Sequence, residues 1–412
     1  MIGAGLFTTS GFALSDLGSP NRVMLAWVVG GVLALSGAVS YGGLVRRISD
    51  SGGEYLFLSQ LVHPIAGFVG GWVSLLAGFT GAIAFAALAF EAYTAPVHGT
   101  DLPEGSVATA LILLAALLHG VKVRTGVVAQ NAAVIVKVTL LFAFVAFAAG
   151  VALTGENSLP PPVSVQPFSI TVFASTLIWI SLSYSGFNAA VYVAGEAKDA
   201  SVNAPRALWA GTLIVTAIYL GTNAAFVYLP PFDAVAGRED VAAVAASSIG
   251  GEATALLARG LIALALLTSV FSMVMSGPRV YARMAEDGMF PRAFRFEAGP
   301  PRTAIALQAT LAVIVVLSTE LKTLLSYLGF TLSISSALTV ASLFVLHRRE
   351  GREAVVAPGY PLTAIFYVLG TLVLAGIAGV NNPIELTTAI LTILTGSVIY
   401  LTLKRYQPET SE

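Results

Sequence analysis

Twelve apolar runs follow one another along the 412 residues, separated only by short polar breaks. They lie near 1–14, 23–45, 65–93, 107–121, 126–153, 168–194, 207–229, 253–280, 304–318, 324–346, 362–380 and 384–403. Crossing a hydrocarbon core takes about 20 residues of helix, and most of the runs approach or exceed that length. Inside such a core every backbone N–H and C=O must find a partner within the protein, which leaves helices or closed barrels. A barrel strand alternates apolar and polar positions. These runs are instead continuous in Leu, Ala, Val and Gly. The expected fold is an all-α membrane protein of about twelve transmembrane helices, the first one truncated, with no separate soluble domain. The charged share agrees, at 10% against about 25% in a soluble domain.

The same residues exclude several functions. A net charge of −1 without a concentrated basic face argues against a nucleic-acid partner. The absence of cysteine removes disulfides, thiolate metal sites and thiol nucleophiles. With four histidines and no paired carboxylates in helical register, no enzyme centre, metal or cofactor is expected. A channel filter would need repeated pore loops or charged rings, and neither is visible.

Lys and Arg gather in cytoplasmic loops of membrane proteins, so their placement tests the division into helices. With the loop after helix 2 inside, sixteen of the 21 basic residues fall inside, from Arg46 and Arg47 through Lys122, Arg124 and Arg348 to Lys404 and Arg405. Only Arg22, Arg238, Arg259 and Lys322 fall outside, and Lys137 lies within a span. The expected location is the cell membrane, multi-pass, with a cytoplasmic C-terminus.

Two helices carry breaks. Helix 1 opens Ile2-Gly3-Ala4-Gly5, and helix 6 contains Ser183-Tyr184-Ser185-Gly186-Phe187-Asn188 at mid-membrane depth. Glycine in a membrane helix commonly serves close packing. At Gly3, Gly5 and Gly186 the neighbouring polar residues point instead to unwound backbone lining a cavity, the arrangement of transporter binding sites. Helices 1–5 and 6–10 have opposite topology by chain parity. Free N–H groups near Gly3 and Gly5 can hold a carboxylate, and freed carbonyls an ammonium, which suits a zwitterion.

Ile2-Gly3-Ala4-Gly5-Leu6-Phe7, Ser51-Gly52-Gly53-Glu54-Tyr55, Tyr184-Ser185-Gly186-Phe187-Asn188 with Gly195-Glu196, and Ser276-Gly277-Pro278-Arg279 followed by 285–291 stand in order along nearly the whole chain. They resemble the motifs of the amino acid/polyamine/organocation superfamily of permeases. The resemblance implies a five-plus-five inverted repeat (about 1–153 and 168–347), two extra C-terminal helices (about 361–405), and alternating access around a central site. That site would use Ile2, Gly3, Ala4, Gly5, Leu182, Ser183, Tyr184, Ser185, Gly186 and Asn188 for substrate. Leu182 stands where several relatives carry an aromatic gate, and Gly43 and Ser49 stand where Glu and Pro are usual. The family's helix 1 also has an apolar half before the glycines, so Met1 is expected to be an internal methionine, or the chain a fragment.

An ionisable side chain inside a span is a functional hypothesis by default. Lys137 lies twelve-odd residues from the inner loop, roughly 18 Å of helix, too deep for simple snorkelling. By resemblance it faces broken helix 1, where sodium-coupled relatives bind a cation, and it is the expected proton-coupling residue. Glu196 is expected either as a solvated helix end or as an inner-gate ion pair with Arg206 or Arg279. Glu91 and His98 flank an outer loop and are expected to be solvated. No Asp or Glu stands near the helix 6 break in sequence, so a neutral substrate is expected. The function expected is a proton-coupled amino acid permease, the alternative an obligate exchanger of amino acids or amines.

Overall fold

The computed structural model describes residues 2–98, 102–120, 127–154, 167–295 and 300–406. Lys122, Arg124 and most of the proline-rich loop before Pro167 lie outside the described residues, as do the side chains of His98, Lys404 and Arg405. Among the described residues all regular structure is helical. Eight helices are long and apolar enough to cross a membrane, and three shorter apolar ones are Ser106–Gly120, Arg302–Ser318 and Leu362–Ala378. With helix 1, Gly5–Leu17, they match the twelve expected runs in order.

Helix 1 stops at Gly18, whose φ of 61° turns the chain while its N–H donates to the Leu14 carbonyl at 3.0 Å. Helix 2, Pro20–Arg47, then starts with proline in its first turn, where a missing N–H costs nothing. Two features differ from the sequence expectation. Helix 3 is Pro64–Val73 and Ala82–His98 joined by a π-helical stretch, Ser74–Gly81, whose wider turn no apolar pattern reports. Helix 8 belongs to a longer run, Val241–Glu286, broken by non-helical backbone at Gly250 and Gly251, so a short extra helix precedes it.

Helix 4 is Ser106–Gly120, helix 5 Val127–Thr154, helix 7 Ala200–Tyr228, helix 9 Arg302–Ser318 and helix 10 Leu321–Glu350. Helix 1 packs on helix 6 (Ile170–Glu196), 2 on 7, 3 on 8 and 4 on 9, so four of the five equivalent pairs meet. Lipid gives no hydrophobic drive to such contacts, so close approach of small residues supplies them. On helix 2, a methyl added at Gly31 would sit 2.7 Å from Thr216 Cγ2 of helix 7.

The basic residues sort to one end. There Arg47 pairs with Glu350 at 2.9 Å, the Gly195 N–H donates to Ser51 Oγ at 3.0 Å, and Arg302 donates to the Gly120 carbonyl. We call this the basic end. At the far end Lys322 pairs with Asp16 at 3.2 Å and Arg259 with Asp240 at 2.6 Å, in the company of Arg22 and Arg238.

Candidate substrate site

Residues 2 and 3 lie outside regular helix, Ala4 is the helix 1 N-cap with its carbonyl accepting from the Phe7 N–H at 2.9 Å, and the first-turn N–H groups from Gly5 onward lie in the middle of the bundle. Helix 6 is α-helical over Ile170–Tyr184 and continues as a tighter 3-10 helix over Ser185–Glu196. The two breaks meet. Thr9 Oγ1 and Ser183 Oγ lie 3.1 Å apart, and Tyr219 Oη donates to the Ser183 carbonyl at 3.0 Å. Trp27 Nε1 donates to Ser10 Oγ at 2.9 Å, and Ser10 in turn donates to Asn223 Oδ1, tying helix 1 to helices 2 and 7.

Beside the breaks lies a cavity of about 370 Å³. Gly3, Ala4, Gly5, Leu182, Ser183, Tyr184, Ser185, Gly186 and Asn188 all line it. Ser269 of helix 8 also lines it while its hydroxyl bonds back to the Ala265 carbonyl at 2.8 Å. At the basic end the lining reaches Val193, which is 52% exposed, so the cavity opens there.

The two helix 1 glycines differ. Nothing stands within 4 Å of a methyl added at Gly3, whereas one at Gly5 would lie 2.9 Å from Ser183 Cα. Gly3 provides space; Gly5 provides the helix 1 to helix 6 contact, so packing is the reason for glycine there. Ile2 is not among the lining residues: its side chain is buried in the core, and its carbonyl accepts from Lys137 Nζ at 3.3 Å. Lys137 donates equally to the Ala265 carbonyl of helix 8, at 3.3 Å. Its ammonium therefore spans helices 1 and 8 rather than reaching for the basic end.

The inner-gate ion pair is absent from this structure. Glu196, Arg206 and Arg279 are each exposed, none pairs with another, and Arg279 donates to its own helix at the Met275 carbonyl. Glu91 is not solvated as expected. Its carboxylate accepts from the Gly105 and Ala108 N–H groups, both at 2.8 Å, and so caps helix 4.

One acidic residue was missed. Glu54, 4% exposed, accepts from Asn188 Nδ2 at 3.1 Å, which overturns the expectation that no carboxylate stands at the helix 6 break. It is remote in sequence, and the only local signal was the Gly52-Gly53 pair before it, both with positive φ, which turns Glu54 inward. The ion pairs of Asp16 and Asp240 at the far end gave no sequence signal at all.

A sequence profile of the amino acid permease family matches residues 1–403. The chain is 26% identical over 422 residues to the serine/threonine exchanger SteT of Bacillus subtilis (strain 168), covering 98% of this chain and 94% of that protein. It is also 26% identical to the b(0,+)-type amino acid transporter 1 of Oryctolagus cuniculus, over 100% of this chain and 86% of that one. The large neutral amino acids transporter small subunit 2 of Rattus norvegicus is 25% identical over 85% of this chain and 68% of its own length. With the profile spanning nearly every residue, and the two helix breaks meeting at a central cavity, the chain belongs to the amino acid permease family.

Proposed function

We propose that the chain carries neutral amino acids across the cell membrane by alternating access, with repeats of about 1–153 and 168–347 moving around the cavity and the basic end in the cytoplasm. The observation that carries this reading is the juxtaposition of the helix 1 N-terminus and the helix 6 break on one cavity. First-turn N–H groups and the positive end of the helix dipole favour the substrate carboxylate. Unwound carbonyls favour its ammonium. A neutral side chain is supported by Glu54, the one carboxylate among the described residues lining the cavity, which is buried and already accepts three hydrogen bonds.

Lys137 is the proposed coupling residue. Its ammonium bridges the backbone of helix 1 at Ile2 to helix 8, so loss of its proton would weaken a tie between elements that must move apart. A second reading, obligate exchange, is favoured by the similarity to a protein named as an exchanger. Radiolabelled uptake into proteoliposomes distinguishes them. Accumulation driven by a pH gradient into empty vesicles supports coupling, whereas uptake only into substrate-loaded vesicles supports exchange. No uptake of any amino acid in either format rejects both.

A further inference from the structure

Glu54 is the second residue of a short helix, Gly53–Leu61, that follows helix 2. Its Oε1 accepts from Tyr41 Oη of helix 2 at 2.5 Å and from Asn188 Nδ2 of helix 6 at 3.1 Å, and its Oε2 accepts from Ser335 Oγ of helix 10 at 3.0 Å. Tyr192 of helix 6 and Tyr367 of helix 11, Leu362–Ala378, also face it. Among the described residues no Lys, Arg or His pairs with it. All three partners can donate, so together they can satisfy an ionised carboxylate.

The segment it holds is only partly buried, with Phe187 meeting the Tyr41 and Tyr367 rings at 5.4 and 6.1 Å and Tyr192 meeting Phe79 at 5.9 Å. Of Ser185–Glu196 only Val191 and Ala194 are buried, and Val193 departs from helical geometry. A second tie, the Gly195 N–H to Ser51, comes from the loop that carries Glu54. Gly53 lets the elements approach, since a methyl there would lie 2.6 Å from Tyr192 Cδ1.

We propose that Glu54 is a positioning residue for transport: its ionised carboxylate latches the basic-end half of helix 6 to helices 2 and 10, and proton uptake loosens the latch. Hydrogen bonds to an ionised acceptor are roughly twice as strong as neutral ones, so protonation weakens all three at once. The latched state is the one seen, open at the basic end and sealed at the far end. Loosening it redistributes the protein toward the opposite state. The inference rests on the transport reading only for its consequence, and its test needs no substrate.

The chain lacks cysteine, so a single Ser269→Cys thiol in the cavity reports access cleanly. The measurement is the ratio of its labelling rates by an impermeant maleimide from the two faces of oriented proteoliposomes, across pH. In the Glu54 protein the basic-face to far-face ratio falls about fivefold as pH drops and the carboxylate takes up its proton. Glu54→Gln holds the low ratio at every pH, and Glu54→Asp restores the pH dependence. Asn188→Ala, which cuts only the tie from Glu54 to helix 6, also gives the low ratio. A native ratio and native pH profile in Glu54→Gln overturn the proposal; should that variant not fold, a native ratio in Asn188→Ala does so. The pH step persisting in a Lys137→Ala background separates this latch from coupling through Lys137.

Discussion

The two ends of the cavity are built by different physics. At the far end, helix 1 is buried from Gly5 to Leu14, and Trp27 and Trp179 are packed against it. The seal is side-chain packing reinforced by the hydrogen bonds from Trp27 through Ser10 to Asn223 and by the Lys322–Asp16 pair. At the basic end, Ser185–Glu196 is only half-buried along most of its length and is held by ring contacts of Phe187 and Tyr192 together with polar ties to Glu54 and Ser51. A segment with few buried contacts opens at low free energy, whereas a packed one moves only as a body. The comparison teaches that the two halves of the site, similar in sequence character, are held differently: helix 1 beyond Gly5 is a packed wall, and helix 6 beyond Tyr184 is a half-buried segment tied by polar contacts.

The largest expected effect tests the wall. Gly5→Leu forces a side chain into Ser183 backbone, where overpacking costs about 1–3 kcal/mol or more. The expected outcome is a clear fall in thermal stability of the purified protein, with binding lost as a consequence. Gly3→Ala, with open space around it, should leave stability unchanged while lowering substrate affinity about tenfold, as its methyl occupies the cavity. Equal stabilities for the two variants would break the distinction between wall and cavity.

Next in size is Lys137→Ala. Lys137 joins the wall at Ile2 to helix 8 at Ala265, so its removal should abolish pH-driven accumulation, about tenfold or more, while counterflow of preloaded substrate continues. Accumulation with unchanged pH dependence in the folded variant would make Lys137 structural. Smaller again is Lys322→Gln at the far end. The pair with Asp16 is partly exposed, yet Nζ also lies 5.0 Å from the Trp179 ring centre and 5.8 Å from that of Phe12. Losing a cation–π contact and an ion pair together should raise far-face labelling of a Ser269→Cys thiol about threefold.

The fold was legible because lipid leaves the backbone few choices, and the apolar runs and the sorting of Arg and Lys each repeat the same twelve-helix answer. Both breaks were legible because glycine clustered with polar residues at mid-span must face protein or water rather than lipid. Contacts between residues distant in the chain were not legible. Glu54 reads as part of a loop, and only folding brings it to Asn188, 134 positions away. Glu196, Arg206 and Arg279 invited an ion pair by proximity to the basic end, but three solvated side chains gain little by pairing. The π-helical stretch at Ser74–Gly81 leaves apolar composition unchanged and so gave no signal.

The smallest effect belongs to the other end. Arg47 and Glu350 make two hydrogen bonds of 2.9 Å each, a better geometry than Lys322 and Asp16 possess, and a count of contacts would rank them first. Their side chains are 49% and 39% exposed, however, and no aromatic ring covers either charge. Water competes for both groups, salt screens them, and holding two long side chains in register costs entropy. Arg47→Gln should therefore change the face-to-face labelling ratio by less than about twofold, and raising salt should erase even that. Glu54→Gln, only a loop away, should move the same ratio about fivefold. If Arg47→Gln instead matched Glu54→Gln, the basic end would be held by its surface charges, and the buried carboxylate would lose its claim to be the latch.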